Sequence, residues 1–312
     1  MPLPSTPVKT AIVLFVYRRW NHTQQVIDAL QRNTFAQTMP LVVFVDGAKG
    51  NGDEADVQAV RDVVDQITGF LSVEVHVSPI NRGIAKSVIA GVTSVFERFS
   101  SVIVLEDDIV TSPNFLMYMT ECLGRFGPDQ SIFSISGYCV PILIPDGVTE
   151  SIFISRRPLS WGWACWRDRW EKIDWEFKDY SQFVSDRDAV RRFNEGGNDL
   201  TEMIVSYMRG GCDFWDIQFA YAHFKHNAWS VVPTRSKVQN IGTDGTGTHF
   251  PSHTSQFDVE LDPGGSPLIF PEVPLIPNSE LLNRIRCFFD VSKWERLKRW
   301  VFRKFYPKGR RR

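Results

Sequence analysis

Val102-Ile103-Val104-Leu105-Glu106-Asp107-Asp108-Ile109-Val110 runs four apolar β-formers into three consecutive carboxylates and then back into apolar residues. An unbroken apolar run of this kind fits a strand buried on both faces, the sort found in parallel sheets. Three adjacent acids at its end repel one another, so the stretch calls for a compensating cation, and hard carboxylate oxygens suit Mg²⁺ or Mn²⁺. The plainer reading is a solvated strand end with Asp108 or Ser112 capping free N–H groups. Two other classes fit poorly. A phospho-acceptor receiver domain carries its acidic pair after the first strand, whereas this one follows the fourth, and a D-x-D phosphatase would need an aspartate where Val110 stands.

Working outward, strand and helix signals alternate. Thr10 to Val16, Leu41 to Val45, Val73 to Val77 and Ser101 to Leu105 read as strands. Asn21 to Arg32, about Asp53 to Thr68, and Ile84 to Phe96 read as helices, the second from Val57, Val60, Val64 and Ile67 at helical spacing. The alternation predicts an α/β fold, a largely parallel sheet with helices on both faces. Ligands in such sheets collect at the carboxyl ends of the strands, which here are Tyr17 to Arg19, Asp46-Gly47, Ser78 to Gly83 and Glu106 to Asp108.

Composition narrows the class. With 312 residues, 43% of them hydrophobic and 23% charged, the chain is an ordinary globular protein, and disorder, collagen and coiled coil are excluded. No apolar run approaches the ~20 residues that span a bilayer. The five cysteines are far apart and form no C-x-x-C pair, which points to a reduced, cytoplasmic setting without zinc or a disulfide framework. The net charge of −1 conceals a partition. The 35 basic and 36 acidic residues divide as 23 and 33 up to Ser279, and as 12 and 3 from Glu280 onward.

Glu106-Asp107-Asp108 followed by Ser112-Pro113-Asn114-Phe115 resembles the metal-binding acidic motif of GT-A glycosyltransferases, in particular the N-acetylglucosaminyltransferase I family and related bacterial family 2-like sugar transferases. The likeness spans most of residues 10–250. It implies a GT-A, Rossmann-like mixed sheet, mostly parallel and flanked by helices. It also implies Asp108 as the ligand of Mn²⁺ or Mg²⁺ on a nucleotide diphosphate, with Asp107 and Glu106 touching ribose and donor sugar. By the same likeness Val16, Tyr17 and Arg19 end the first strand against the nucleotide, Asp46 reads the base, and Asn81-Arg82-Gly83-Ile84-Ala85-Lys86 supplies the loop and helix start beside the phosphates. A helix N-terminus carrying Arg82 and Lys86 is physically suited to that task.

Five tryptophans, Trp161, Trp163, Trp166, Trp170 and Trp175, fall within fifteen residues. Ser160 to Trp166 resembles the family's aromatic-glycine segment beneath the sugars, so Trp161, Gly162, Trp163 and later Trp215 are expected at the acceptor and donor sugars, because indole faces stack on pyranose rings. The competing reading is that such a cluster is core. Asp213-Phe214-Trp215-Asp216 resembles the segment bearing the catalytic base of the inverting family; Asp216 stands at the matching position and Asp213 is the runner-up. Either acid could instead cap the helix expected over Ile217 to His226. Val238 to His249 resembles the family's glycine-bearing loop over the donor, with Gly242 and His249 as candidate donor contacts and a mobile lid as the expectation.

The resemblance implies an inverting, metal-dependent transfer of a sugar from a nucleotide donor, UDP being the first choice, to a glycan or lipid-linked glycan, as in cell-surface polysaccharide synthesis. A nucleotidyltransferase would share the sheet and the acids but needs a glycine-rich loop after the first strand, and Phe15 to Asn21 contains no glycine. A non-catalytic carbohydrate-binding protein would use the tryptophans without needing the acids. The expected organisation is a leader over 1–9, one domain over 10–275 with donor half 10–137 and acceptor half 138–275, and a tail over 276–312. In the tail, Ser292-Lys293-Trp294-Glu295 is a capping-box pattern, and Trp294, Leu297, Val301 and Phe305 follow at helical spacing among many basic residues. Such a basic amphipathic helix suits an anionic membrane surface, which would make the protein peripheral at the inner face; the alternative is a helix packed on the acidic body. Nucleic acid is not an expected partner, since the rest of the chain is acidic.

Overall fold

A computed structural model of the chain describes residues 9–50, 52–210, 213–247 and 252–291. The four expected strands are β1 (Thr10–Val16), β2 (Pro40–Val45), β3 (Ser72–Val77) and β4 (Ser101–Glu106), joined by the helices α1 (Trp20–Gln31), α2 (Glu54–Val64) and α3 (Ile84–Phe96). α2 stops four residues before Thr68, and Gly69, at φ +84°, turns the chain toward β3. Beyond β4 come β5 (Ile109–Thr111), α4 (Phe115–Phe126), β6 (Ile132–Ser136), β7 (Ile152–Ser155) and β8 (Trp163–Trp166). A helical stretch follows with α5 (Arg167–Trp170), α6 (Tyr180–Ser185), α7 (Arg187–Phe193), α8 (Leu200–Met208) and α9 (Asp216–Lys225). β9 (Trp229–Pro233), β10 (Val238–Asn240) and α10 (Ser279–Phe289) complete the described elements.

The main sheet has eight strands in the order β3-β2-β1-β4-β8-β6-β9-β7. β1 pairs in parallel with both β2 and β4, and β2 pairs in parallel with β3. β8 runs antiparallel between β4 and β6, β9 runs parallel to β6, and β7 closes the far edge antiparallel to β9. The sheet is therefore mixed and mostly parallel, and the strand order reverses between β1 and β4. A second, two-stranded sheet pairs β5 with β10 antiparallel, Ile109 opposite Asn240 and Thr111 opposite Val238. The acidic stretch is accordingly a tight turn between two strands and does not lead directly into a helix.

Alternation along β1 divides the core between the two faces of the sheet. Ile12 and Leu14 pack with Val26 of α1, Val60 of α2, Leu116 of α4 and Leu281 of α10. Val13 and Phe15 pack on the other side with Val88 and Val92 of α3 and with Trp163, Trp170, Trp215 and Phe219. A third, aromatic cluster joins α6 to α9 through Phe183, Phe193, Ile204 and Tyr221.

α10 is capped by Asn278, whose side-chain oxygen accepts from the N–H groups of Glu280 and Leu281. Leu281 and Ile285, one turn apart, are buried in the first core, so the packed body extends past residue 275. Residues 292–312 of the expected basic tail, and residues 1–8 of the expected leader, lie outside the described residues. Among the described residues, no helix is long and apolar enough to cross a membrane.

Candidate active site

The reversal of strand order between β1 and β4 opens a crevice at their carboxyl ends, the place where α/β sheets bind ligands. A cleft of about 1100 Å³ occupies it. Of the residues singled out from the sequence, Val16, Tyr17, Arg19, Asp46, Arg82, Glu106, Asp107, Asp108 and Trp161 line this cleft, together with Asp213. They come from four strand ends and two later loops.

At the centre is a charge cluster. β1 ends three residues before Arg19, which stands at the N-cap of α1 without using its side chain as a cap. Its Nη2 donates to Asp107 Oδ1 and, at 2.8 Å, to Asp108 Oδ2. Both aspartates are buried. Burial alone would lower the guanidinium's pKa, but the Asp107 and Asp108 charges drive it above its usual range. Burial raises the Asp107 carboxyl against the opposing pull of Arg19. For Glu106, burial, then the charges of Asp108 and Asp107, outweigh the pull of Arg19 and push the carboxyl up to about 8.

The β5–β10 pairing brings a distant loop onto this cluster. Ile241 donates its N–H to the Asp108 carbonyl at 2.9 Å, and Gly242 donates to Asn240 Oδ1 at 2.7 Å. A β-carbon on Gly242 would overlap Asp108 Oδ2 and approach Arg19 Nη1 to 2.6 Å, so only glycine fits this approach. Thr246 and Gly247 go on to line the cleft. His249 lies outside the described residues.

Asp46 is occupied otherwise than expected. Its carboxylate accepts from the backbone N–H groups of Gly47 at 2.9 Å, Arg82 at 2.9 Å and Gly83 at 3.1 Å. These bonds staple the turn after β2 to the loop before α3, where Gly83 is at φ +78°. Asp46 thus positions this loop, with three backbone N–H groups on its oxygens. Lys86 is exposed on α3 and does not line the cleft.

The tryptophans separate into two groups. Trp163 and Trp215, expected at the sugars, are 2% and 4% exposed and lie 4.9 Å apart, centroid to centroid, inside the second core. They are core side chains because β8 lies between β4 and β6, which turns Trp163 into the interior. Trp161 precedes β8, is only partly buried, and packs against Tyr138 and Phe257 at one end of the cleft. Gly162 adopts φ +56° in a space where a β-carbon would meet Val238 at 2.7 Å; its role here is backbone packing.

Of the two candidate bases, Asp213 lines the cleft against Gly83. Asp216 opens α9, receives Ser160 Oγ at 3.5 Å, and its charge adds to the upward shift of Glu106.

Asp53, read from the sequence only as the start of the second helix, also lines the cleft. Tyr17 Oη donates to its Oδ2 at 2.6 Å and Arg18 to its Oδ1 at 2.9 Å, so it ties the end of β1 to the start of α2. The Tyr17 hydrogen bond, then that of Arg18, holds the Asp53 carboxyl below its usual range; burial, then Asp53, pushes the Tyr17 phenol up to about 12. An aspartate immediately before a helix at the same end of the sheet was the available signal.

The hard oxygens of Asp107 and Asp108 suit Mg²⁺ or Mn²⁺ by type. Among the described residues no set of three His, Cys, Asp or Glu side chains converges as a metal cage.

No family model matches the chain, and no curated protein matches it. Solved structures do. A mannosyltransferase from Pyrobaculum calidifontis, in complex with GDP-Man and Mn²⁺, is 14% identical over 72% of each chain with a TM-score of 0.43. A cytidylyltransferase from Leptospira borgpetersenii is 13% identical over 42% of this chain and 54% of that one, with a TM-score of 0.30. TarS of S. aureus is 14% identical over 46% and 24%, with a TM-score of 0.31.

Proposed function

We propose that the chain is a GT-A glycosyltransferase that moves a sugar from a nucleotide donor to a hydroxyl of a glycan or lipid-linked glycan, with inversion. The observation that carries this reading is the buried acidic turn Glu106-Asp107-Asp108, held by Arg19 and overlaid by Gly242, at the point where the strand order reverses. Three carboxylates are costly to gather at the mouth of a core strand, and a structural role does not call for all of them.

The nucleoside moiety is proposed to lie along Tyr17 and the loop stapled by Asp46, with the diphosphate toward Arg19 and Arg82. Asp108 would hold the divalent ion, with diphosphate oxygens and water completing its shell. When bound, the ion supplies stabilisation of the negative charge that develops on the leaving diphosphate. Asp216 is the proposed base. It takes the proton of the acceptor hydroxyl as that oxygen bonds to the anomeric carbon, while the bond from that carbon to the diphosphate oxygen breaks and its electron pair leaves with the diphosphate. Asp213 is the alternative base, favoured by its place in the cleft wall. Trp161 is the remaining candidate for stacking on a pyranose ring.

Two competing readings lose support. The loop after β1 has no glycine with which to wrap phosphates, as a nucleotidyltransferase would need. Trp163 and Trp215, which favoured a carbohydrate-binding protein, are core. The test is a thermal-shift panel of UDP, GDP, dTDP and CMP, each with and without Mn²⁺. One nucleotide with Mn²⁺ should raise the midpoint more than either alone, by about 2.7 kcal/mol of stabilisation at a hundredfold excess over Kd. Asp108→Asn should abolish the synergy. No shift with any nucleotide in the presence of Mn²⁺ or Mg²⁺ overturns the reading.

The segment from Ser292 to Arg312 is proposed to hold the enzyme at an anionic membrane, each basic residue near the surface contributing about 1 kcal/mol. Deleting it should release the protein from phosphatidylserine vesicles while leaving nucleotide binding intact. Unchanged vesicle partitioning of the deletion variant rules this out.

A further inference from the structure

Arg19 occupies the oxygens that the proposed function assigns to a divalent ion. Its Nη2 serves both Asp107 and Asp108, and its Nε reaches Asp107 Oδ2 only at 3.5 Å. Its Nη1 is buried and has no hydrogen-bond partner among the described residues. Two glycines face that nitrogen: a β-carbon on Gly242 would come within 2.6 Å of it and one on Gly247 within 3.6 Å. A buried donor left without an acceptor is costly, the more so when it is charged. The guanidinium is therefore satisfied on one side only, and its unsatisfied side faces the glycine loop.

A divalent ion on Asp108 would meet this guanidinium as a like charge. Two such cations at contact distance repel strongly in a site shielded from water, and the double charge of the ion doubles the repulsion. The two cations cannot share Asp108 Oδ2 unless an anion comes between them. A diphosphate is such an anion: it accepts from Nη1 and replaces the aspartates as the acceptor for Nη2.

We infer that Arg19 is an exchangeable resident cation. In the nucleotide-free protein it pairs with Asp107 and Asp108, offsetting one of their two charges, and keeps the divalent ion off them. The diphosphate draws the guanidinium away from Asp108, so that ion and nucleotide enter together. The inference rests on the donor-site reading above. It makes Arg19 the source of the coupling between the two ligands, which is reciprocal by linkage.

The experiment measures Mn²⁺ affinity by electron paramagnetic resonance of the free ion, on the full chain, with and without UDP or whichever nucleotide the thermal panel selects. The wild type should bind Mn²⁺ at least about tenfold more tightly with the nucleotide than without it. Arg19→Met should bind Mn²⁺ alone about tenfold more tightly than the wild type, with the nucleotide's enhancement shrunk toward one. Arg19→Lys, which keeps a cation, should stay near the wild type for Mn²⁺ alone. Equal Mn²⁺ affinities in folded Arg19→Met and wild type, with nucleotide binding intact, overturn the exchange and leave the donor-site reading standing. If Arg19→Met does not fold, an equal affinity of the wild type for Mn²⁺ with and without nucleotide overturns it in the same way. If no protein binds Mn²⁺ under any condition and no nucleotide binds, both readings fail.

Discussion

Gly242 and Asp108, 134 positions apart in the sequence, meet so closely that a methyl group on Gly242 would overlap the Asp108 carboxylate. The contact exists because β10 pairs with β5 immediately after the acidic turn. It makes Gly242 a shape requirement of the charge cluster. Gly242→Ala must shift Asp108, Arg19 or the loop itself, with strain of about 1–3 kcal/mol. The expected outcome is a modest fall in thermal midpoint together with loss of the joint effect of nucleotide and Mn²⁺ in a titration. An alanine variant with wild-type midpoint and wild-type ligand response would show that the loop does not sit on the turn.

Asp46 offers a sharp choice between two roles. As a reader of the base, its removal would change which nucleotide binds. As the staple seen here, accepting from Gly47, Arg82 and Gly83, its removal loosens the loop and weakens every nucleotide alike. Asp46→Ala should cost about 1–3 kcal/mol through the stranded backbone donors. Dissociation constants for UDP, GDP and dTDP should rise by a similar factor. A change in their rank order would restore the base-reading role.

How far the sequence reached follows from the range of each signal. β1, β2 and β4 were legible because both their faces are buried, which leaves continuous apolar runs, and α3 because its pattern is regular from Ile84 to Phe96. The acidic turn was legible because three adjacent carboxylates are conspicuous at a strand end. The overlay by Gly242 was not, since β5 and β10 have three residues each, too few for a period. Trp161 and Trp163 differ by two positions and in fate, one at the cleft and one in the core, because β8 begins between them in a place set by β4 and β6. The reach of the core into α10 was masked by the charge of the segment that follows.

Those two tryptophans give the next prediction. Trp163→Ala removes a 2% exposed indole packed against Trp170, Trp215 and Phe219, and should cost about 3–5 kcal/mol. Trp161→Ala, at a partly buried site, should cost clearly less and act chiefly on sugar-dependent steps. Urea melts of the two variants, with donor hydrolysis and transfer rates, separate the roles. Similar stability losses in both would assign Trp161 to the core as well.

α10 provides a test of where the body ends. Leu281 is fully buried against the first core, and Leu281→Ala should cost about 2–5 kcal/mol. Leu282→Ala is not the control, since its side chain is half-buried; Glu280→Ala, on the exposed side, should cost under about 0.5 kcal/mol. Equal, small effects of Leu281→Ala and Glu280→Ala in chemical denaturation would detach α10 from the body.

His223 fixes how stability responds to acid. The ring is fully buried, with Nδ1 2.8 Å from the Phe219 carbonyl and Nε2 2.7 Å from Ser134 Oγ. A carbonyl only accepts, so Nδ1 carries the proton of the neutral ring and Nε2 is left to accept. Burial pushes the pKa down from 6.5 to about 4. Between those values the unfolded chain binds a proton that the folded chain refuses, so folded stability is fully present above the unfolded pKa and is lost as pH falls from about 6.5 to about 4. The full effect is about 3 kcal/mol, at 1.36 kcal/mol per unit. Carboxylates contribute to the same acid limb, which is why the variant matters: His223→Gln cannot titrate, so its urea midpoint should start lower at pH 7 and fall less steeply between pH 6.5 and 4. A variant whose midpoint falls as steeply as the wild type would place the acid sensitivity elsewhere and leave His223 a packing residue.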